Sequence, residues 1–449
     1  MPTTITAPLA ILPGSHAPQP ATIVYDNGVI TSIHRGLLAK DAVEGDLIEV
    51  AEGKVLLPGL LDTHVHLNQP GRTAWEGFQT GTLAALAGGV TTLIDMPLNS
   101  IPPTCTVEGL YAKQAEAKRV GIKTDVGFWG GIIPGNAGEL KPLLKEGVKG
   151  FKCFLIESGV DEFPCVDEQD LIKACDALEG TNALVMFHAE MDSHPHSSSL
   201  PHPTHYSTFL ASRPPSWEID ALSLILRLAK KYSGLRFHIV HLSAAGAVPL
   251  IKKARKEGLS NLTVETCFHY ICLSGEDIPD NATQYKCCPP IRDEANRKLI
   301  VEALLDGTIN YLVSDHSPCV PELKKGDFMS AWGGVSGLGF GLSLTWTLLG
   351  GKGGRVELGK IIEWMGSTQA LQVGLEGKKG ELMVGADADF VVFDPDAEWE
   401  VTLDTLRFKN KVSPYLGKTL KGLVEKTYLG GKLAWDRGKE VNDVVGKFV

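Results

Sequence analysis

The chain has 449 residues, 43% of them hydrophobic and 21% charged, with a net charge of −10. That length is ample for a core of barrel size. An acidic balance with no basic cluster argues against a nucleic-acid partner, and no apolar run is long enough to suggest a membrane partner.

In chain order, residues 1–56 read as short strands and turns, with ATIVYDNGVITSI as two apolar runs around an Asp-Asn-Gly turn. Residues 57–378 alternate apolar strand-like runs with Ala/Leu/Lys-rich helical stretches. The strand-like runs are 57–66, 90–97, 124–132, 148–155, 183–190, 235–243, 262–270 and 309–315. Such alternation predicts a parallel sheet covered by helices. Eight units fit a (β/α)8 TIM-like barrel. A doubly wound open sheet would want a glycine-rich turn after its first strand, and HVHLNQP is not one. Residues 379–449 return to β character in GELMVGADADFVVFD and LVEKTYLGGKLAW. We therefore expect an α/β protein whose barrel, 57–378, is flanked by one small β-sandwich domain built from 1–56 and 379–449. Nine cysteines, odd in number and without a CxxC pair, suggest a reducing compartment. MPTTITAPLAILPG lacks the pattern of a signal peptide. The expectation is a cytoplasmic location.

Chemistry in such a barrel sits at the C-terminal ends of the strands. The first strand ends in His64 and His66, two apart and so on one face. That spacing lets one strand give two nitrogens to one metal ion. Lys152 lies in GFKCF, His188 ends VMFH, His241 ends HIVH and Asp315 ends YLVSD. By alternation His238 faces the helical layer as a packing residue, and His316 turns away as a supporting or loop residue. An inward lysine in an apolar strand needs a partner or a reason. Snorkelling to solvent is one reading of Lys152. The other is reaction of the neutral amine with carbon dioxide, giving an anionic carbamate whose two oxygens can bridge two cations. His194, His196, His202 and His205 lie among Pro and Ser and read as a polar loop. His269 reads as packing or support.

The stretches LPGLLDTHVHLNQPGR, GFKCF, FHAE, HIVHLS and VSDHSPC resemble the cyclic amidohydrolase branch of the amidohydrolase superfamily, over nearly the whole chain. The resemblance implies two divalent metal ions, usually zinc. His64 and His66 would hold the buried ion and His188 and His241 the outer one. Carboxylated Lys152 would bridge them, and Asp315 would complete the inner site and move the proton. It also implies a small-molecule substrate and a homotetramer. Within the branch, GRTAWEGFQTG, MPLNS, KCCPPIRD and MSAWGGVSG look like the members that open a hydantoin ring bearing a ureido arm. Some dihydroorotases carry arginine two positions after the HxH pair, where this chain has Asn68. A neutral amide cannot replace a guanidinium on a carboxylate. Asn68, Asn99, Cys288 and Ser317 are candidate substrate contacts, and Cys288 departs from the serine common there in the family. Arg72 is expected to hold its loop. The alternatives are another cyclic amidase, such as a hydantoinase or dihydropyrimidinase or a dihydroorotase, and a non-catalytic scaffold that keeps the fold.

Overall fold

The computed structural model describes residues 1–43, 45–193, 202–441 and 444–449. The middle of the chain forms two parallel sheets. One runs Leu60–Val65, Val90–Asp95 and Asp125–Phe128; the other runs from Gly130–Gly131 through Phe151–Phe154, Leu184–His188, Arg236–Ile239 and Leu262–Cys267 to Tyr311–Val313. Only Trp129 separates Asp125–Phe128 from Gly130–Gly131, and its N–H donates to the Asp95 carbonyl at 3.0 Å. A parallel bridge, Val65–His316, joins the far end of the second sheet to the first strand.

Helices follow the strands because their apolar residues recur at helical spacing. Glu168–Leu178 buries Leu171, Ala174, Cys175 and Leu178, and opens with a capping box between Asp167 and Asp170. The strand cores are continuous apolar runs, buried on both faces. Phe187 and Phe237 stack between neighbouring strands with centroids 5.9 Å apart.

The run 57–66 is two strands. Val55–Pro58 pairs antiparallel with Phe390–Glu400, whereas Leu60–Val65 begins the parallel sheet. Gly59 makes the switch: a Cβ there would lie 2.2 Å from Thr91 Oγ1 and 2.7 Å from Asp389 Cβ. Both ends of the chain meet in one nine-stranded sheet through that pairing. Ile5, Ile23, Leu56, Phe390 and Tyr428 share its core. Buried Lys379 ties the sheet to the parallel strands, reaching Asp125 at 2.5 Å and Asp389 at 2.7 Å. Among the described residues no helix is long and apolar enough to cross a membrane.

Candidate metal centre and active site

His64, His66, Lys152, His188, His241 and Asp315 line one cavity of about 460 Å³. His64 Nε2 lies 3.1 Å from Asp315 Oδ1, and His66 Nε2 lies 3.6 Å from the same oxygen. On the other side His188 Nδ1 faces His241 Nε2 at 3.0 Å. The rings of His64 and His241, 5.3 Å apart, connect the two groups. All six residues are buried.

Strand parity does not by itself aim His241 and Asp315. Their strands end at Ile239 and Val313, and each residue sits two positions beyond. His241 has φ 41° and Asp315 φ 43°. This left-handed backbone is costly for non-glycine residues and clusters at functional sites.

Two carboxylates orient the imidazoles. Glu265 Oε1 lies 2.5 Å from His64 Nδ1, and Glu190 Oε2 lies 2.8 Å from His188 Nε2. A carboxylate only accepts, so these ring nitrogens donate. On a neutral ring the opposite nitrogen keeps its lone pair, as metal ligation requires, so His64 gives up its second proton to offer Nε2. Sequence reasoning missed both carboxylates. Glu190 had a signal, two positions after His188 in FHAE and so on its face. Glu265, a carboxylate in the apolar strand LTVETC, was a weaker one. Glu265 Oε2 also meets His238 Nε2 at 3.0 Å, and His238 Nδ1 meets Thr263 Oγ1 at 2.8 Å. His238 is thus satisfied, but it lies on the face of Met186 and Lys152 rather than towards the helical layer, and it braces the support of His64.

The electrostatics favour cations. Burial opposes charge on His64, but Asp315 and Glu265 outweigh it and raise the imidazole to about 9. Burial lowers His66 and His188, and lowers His241 strongly, so they stay neutral. Burial would raise Asp315, yet His64 beside it holds that carboxyl well below its usual range. Burial pulls Lys152 down to about 8. Its ammonium lies 5.2 Å over the Phe154 ring and has no hydrogen-bond acceptor among the described residues. His241 Nδ1 is likewise buried without a partner. Lone-pair nitrogens, an ionised carboxylate and an unpartnered lysine make a donor set that fits divalent cations.

Asn99, Cys288 and Ser317 line the cavity. Asn99 Nδ2 also lies 3.3 Å from His66 Nδ1. Asn68, expected as a substrate contact, is not among the lining residues. Its backbone turns left-handed at φ 62°, and its side-chain amide donates to the Pro318 carbonyl at 3.3 Å. It braces the backbone at Pro318, and its Oδ1 is buried without a partner among the described residues. Arg72 pairs with Glu162 and donates to the Asn99 carbonyl at 2.8 Å, which fixes its loop. His316 is committed away from the cavity, with Nε2 3.2 Å from Glu76 and Nδ1 accepting from Gly337 N. His269 is buried beside Cys267 and Asp315 with neither ring nitrogen bonded, and burial lowers it to about 4. His202 and His205 stack on each other, whereas His194 and His196 lie outside the described residues.

Residues 329–334 also line the cavity. Half-buried Lys324 donates to the Trp332 and Gly334 carbonyls at 2.9 and 2.7 Å, and Lys286 to that of Met329 at 3.1 Å. Gly334 is required there, since a Cβ would lie 2.1 Å from the Ser317 carbonyl oxygen.

The sequence model of the Amidohydrolase family matches residues 55–434. The chain belongs to the amidohydrolase family. Within that family it stands with the allantoinases. Allantoinase from Saccharomyces cerevisiae is 46% identical over 98% of this chain and 96% of its own length. The Arabidopsis thaliana allantoinase is 44% identical over 94% and 88%. L-hydantoinase (dihydropyrimidinase) from Arthrobacter aurescens superposes with a TM-score of 0.89 at 27% identity, covering 99% of each chain. In this amidohydrolase the cavity is where the parallel strands end, and it gathers all six motif residues.

Proposed function

We propose that the chain hydrolyses the hydantoin ring of allantoin to give allantoate, using two divalent ions held by His64, His66, Lys152, His188, His241 and Asp315. The observation that carries this reading is the meeting of those six side chains in one cavity, with Glu265 and Glu190 orienting two of the imidazoles. The allantoinase relatives support the choice of ring. We read the two parallel sheets as one (β/α)8 barrel over 57–378. We read the nine-stranded sheet as folded into a sandwich from 1–56 and 379–449. The Val65–His316 bridge and the shared two-ended core support these readings.

When bound, the ions lower the pKa of water and polarise the ring carbonyl. His64, His66 and Asp315 would hold the inner ion, and His188 and His241 the outer one. Lys152, part-neutral near pH 8, is suited to take up carbon dioxide as a bridging carbamate. Asp315 takes the proton of the attacking water and returns it to the ring nitrogen as the amide C–N bond breaks. Asn99 and Ser317 offer neutral donors and acceptors to a neutral, amide-rich substrate. The ligand types suit zinc. Nine free cysteines fit a cytoplasmic location. The family resemblance supports a homotetramer.

The test is a substrate panel. Protein purified with zinc is offered allantoin, hydantoin, dihydrouracil and dihydroorotate at equal concentration. Allantoin is expected to open fastest, and faster opening of dihydroorotate would overturn the reading.

A further inference from the structure

Arg213 follows the helix Tyr206–Ser212 and lines the cavity. Its guanidinium is fixed on two sides, and its backbone by a third contact. Nε and Nη2 grip the two oxygens of buried Glu190 at 3.0 and 2.7 Å. The Trp217 ring lies 5.3 Å from the guanidinium carbon, and Arg292 Nη1 donates to the Arg213 carbonyl at 3.2 Å. Glu190 in turn holds His188 Nε2. The position of the guanidinium is therefore set relative to His188. A planar fork held this way loses little freedom on making one more bond.

Two donors of that fork are occupied, and Nη1 has no acceptor among the described residues. Of the other lining lysines, Lys152 belongs to the ion site and Lys286 is committed to the Met329 and Ala331 carbonyls. Arginine only donates, so the group it meets must be an acceptor. With the ring amide at the His and Asp centre, the ureido arm is the part of the substrate that reaches the cavity wall, and its carbonyl is a free acceptor.

We propose that Arg213 is the specificity residue of this site, donating from Nη1 to the carbonyl of the substrate's ureido arm. This rests on the reading that allantoin is the substrate. Glu190 then has two jobs, since it orients both His188 and the arm-binding guanidinium.

The experiment compares unmodified protein with Arg213→Lys and Arg213→Gln. It measures KM and kcat for allantoin, Ki for unsubstituted hydantoin as a competitor, and zinc per chain. Hydantoin has no arm. Losing a hydrogen bond to a charged group is expected to raise KM for allantoin about 10- to 100-fold, with the hydantoin Ki changed less than threefold and zinc retained. Equal rises in both constants, or loss of zinc, would show that Arg213 only positions His188 and would overturn the proposal. If neither variant folds, 5-butylhydantoin decides on the unmodified protein. Its chain has no carbonyl, so its Ki should exceed the KM for allantoin by tenfold or more, and equal values refute the proposal. Failure of unmodified protein to open allantoin at all would instead refute the function on which it rests.

Discussion

Glu265→Gln tests whether the carboxylate behind His64 governs the metal centre. The change keeps the shape of the side chain. Its remaining oxygen can accept from His64 Nδ1, now 2.5 Å from the carboxylate. Its amide can donate to His238 Nε2 if the proton there moves to Nδ1, where Thr263 Oγ1 waits at 2.8 Å. The hydrogen-bond geometry survives and the charge is lost. Hydrogen bonds to charged groups contribute about 1.5–3 kcal/mol, against about 1 for neutral ones. Two such bonds weakened by about 1 kcal/mol each give roughly 2 kcal/mol, a factor of about 30 in affinity, within the range of about 10- to 100-fold seen for supporting partners of metal ligands. Zinc affinity is read by competition with a chromophoric chelator, and kcat/KM at saturating zinc. We expect affinity to fall by that factor while the melting temperature of the metal-stripped protein at pH 8 shifts by only a few degrees. Zinc affinity equal to that of the unmodified protein would refute the reasoning.

Three further outcomes are expected. Lys152→Ala should lose both ions together, because the remaining donors are four neutral imidazoles and one carboxylate, and short carboxylic acids should restore part of the activity; two tightly held ions by elemental analysis would show that Lys152 is no bridge. Asp315→Asn should lower kcat by on the order of 10²–10⁴ while at least one ion stays bound, since an amide offers an oxygen but moves no proton; near-normal turnover would shift the proton role elsewhere. In metal-stripped protein, the raised His64 contributes stability that is full below its unfolded value of 6.5 and is lost as pH rises towards 9. His66, His188 and His241, lowered by burial, are neutral in both states above 6.5, and the opposing gain from Lys152 begins only above about 8. Stability should therefore fall by on the order of 2 kcal/mol between pH 6.5 and 8, read by thermal melts, whereas a flat or rising profile contradicts the pairing.

The sequence by itself determined the periodicities and the kinds of side chain that meet in the cavity. Alternation of apolar runs with helical stretches is local information, and so is the i, i+2 spacing that puts His64 and His66 on one face. The six motif residues were legible because their chemistry is rare in apolar strands. What depends on the path of the backbone between elements was not legible. Strand parity could not aim His241 and Asp315, because both lie past their strand ends in left-handed conformation. Asn68 stood at the right spacing from the HxH pair but turns left-handed at φ 62° and donates to the Pro318 carbonyl instead of lining the cavity. The continuous run 57–66 concealed the switch between two sheets at Gly59, which only close packing against Thr91 and Asp389 reveals. Glu265 and Glu190 acquire meaning only from their partners. Glu265 is 201 residues from His64, and a contact between strands so far apart in the chain is set by the tertiary arrangement of the strands rather than by any local pattern.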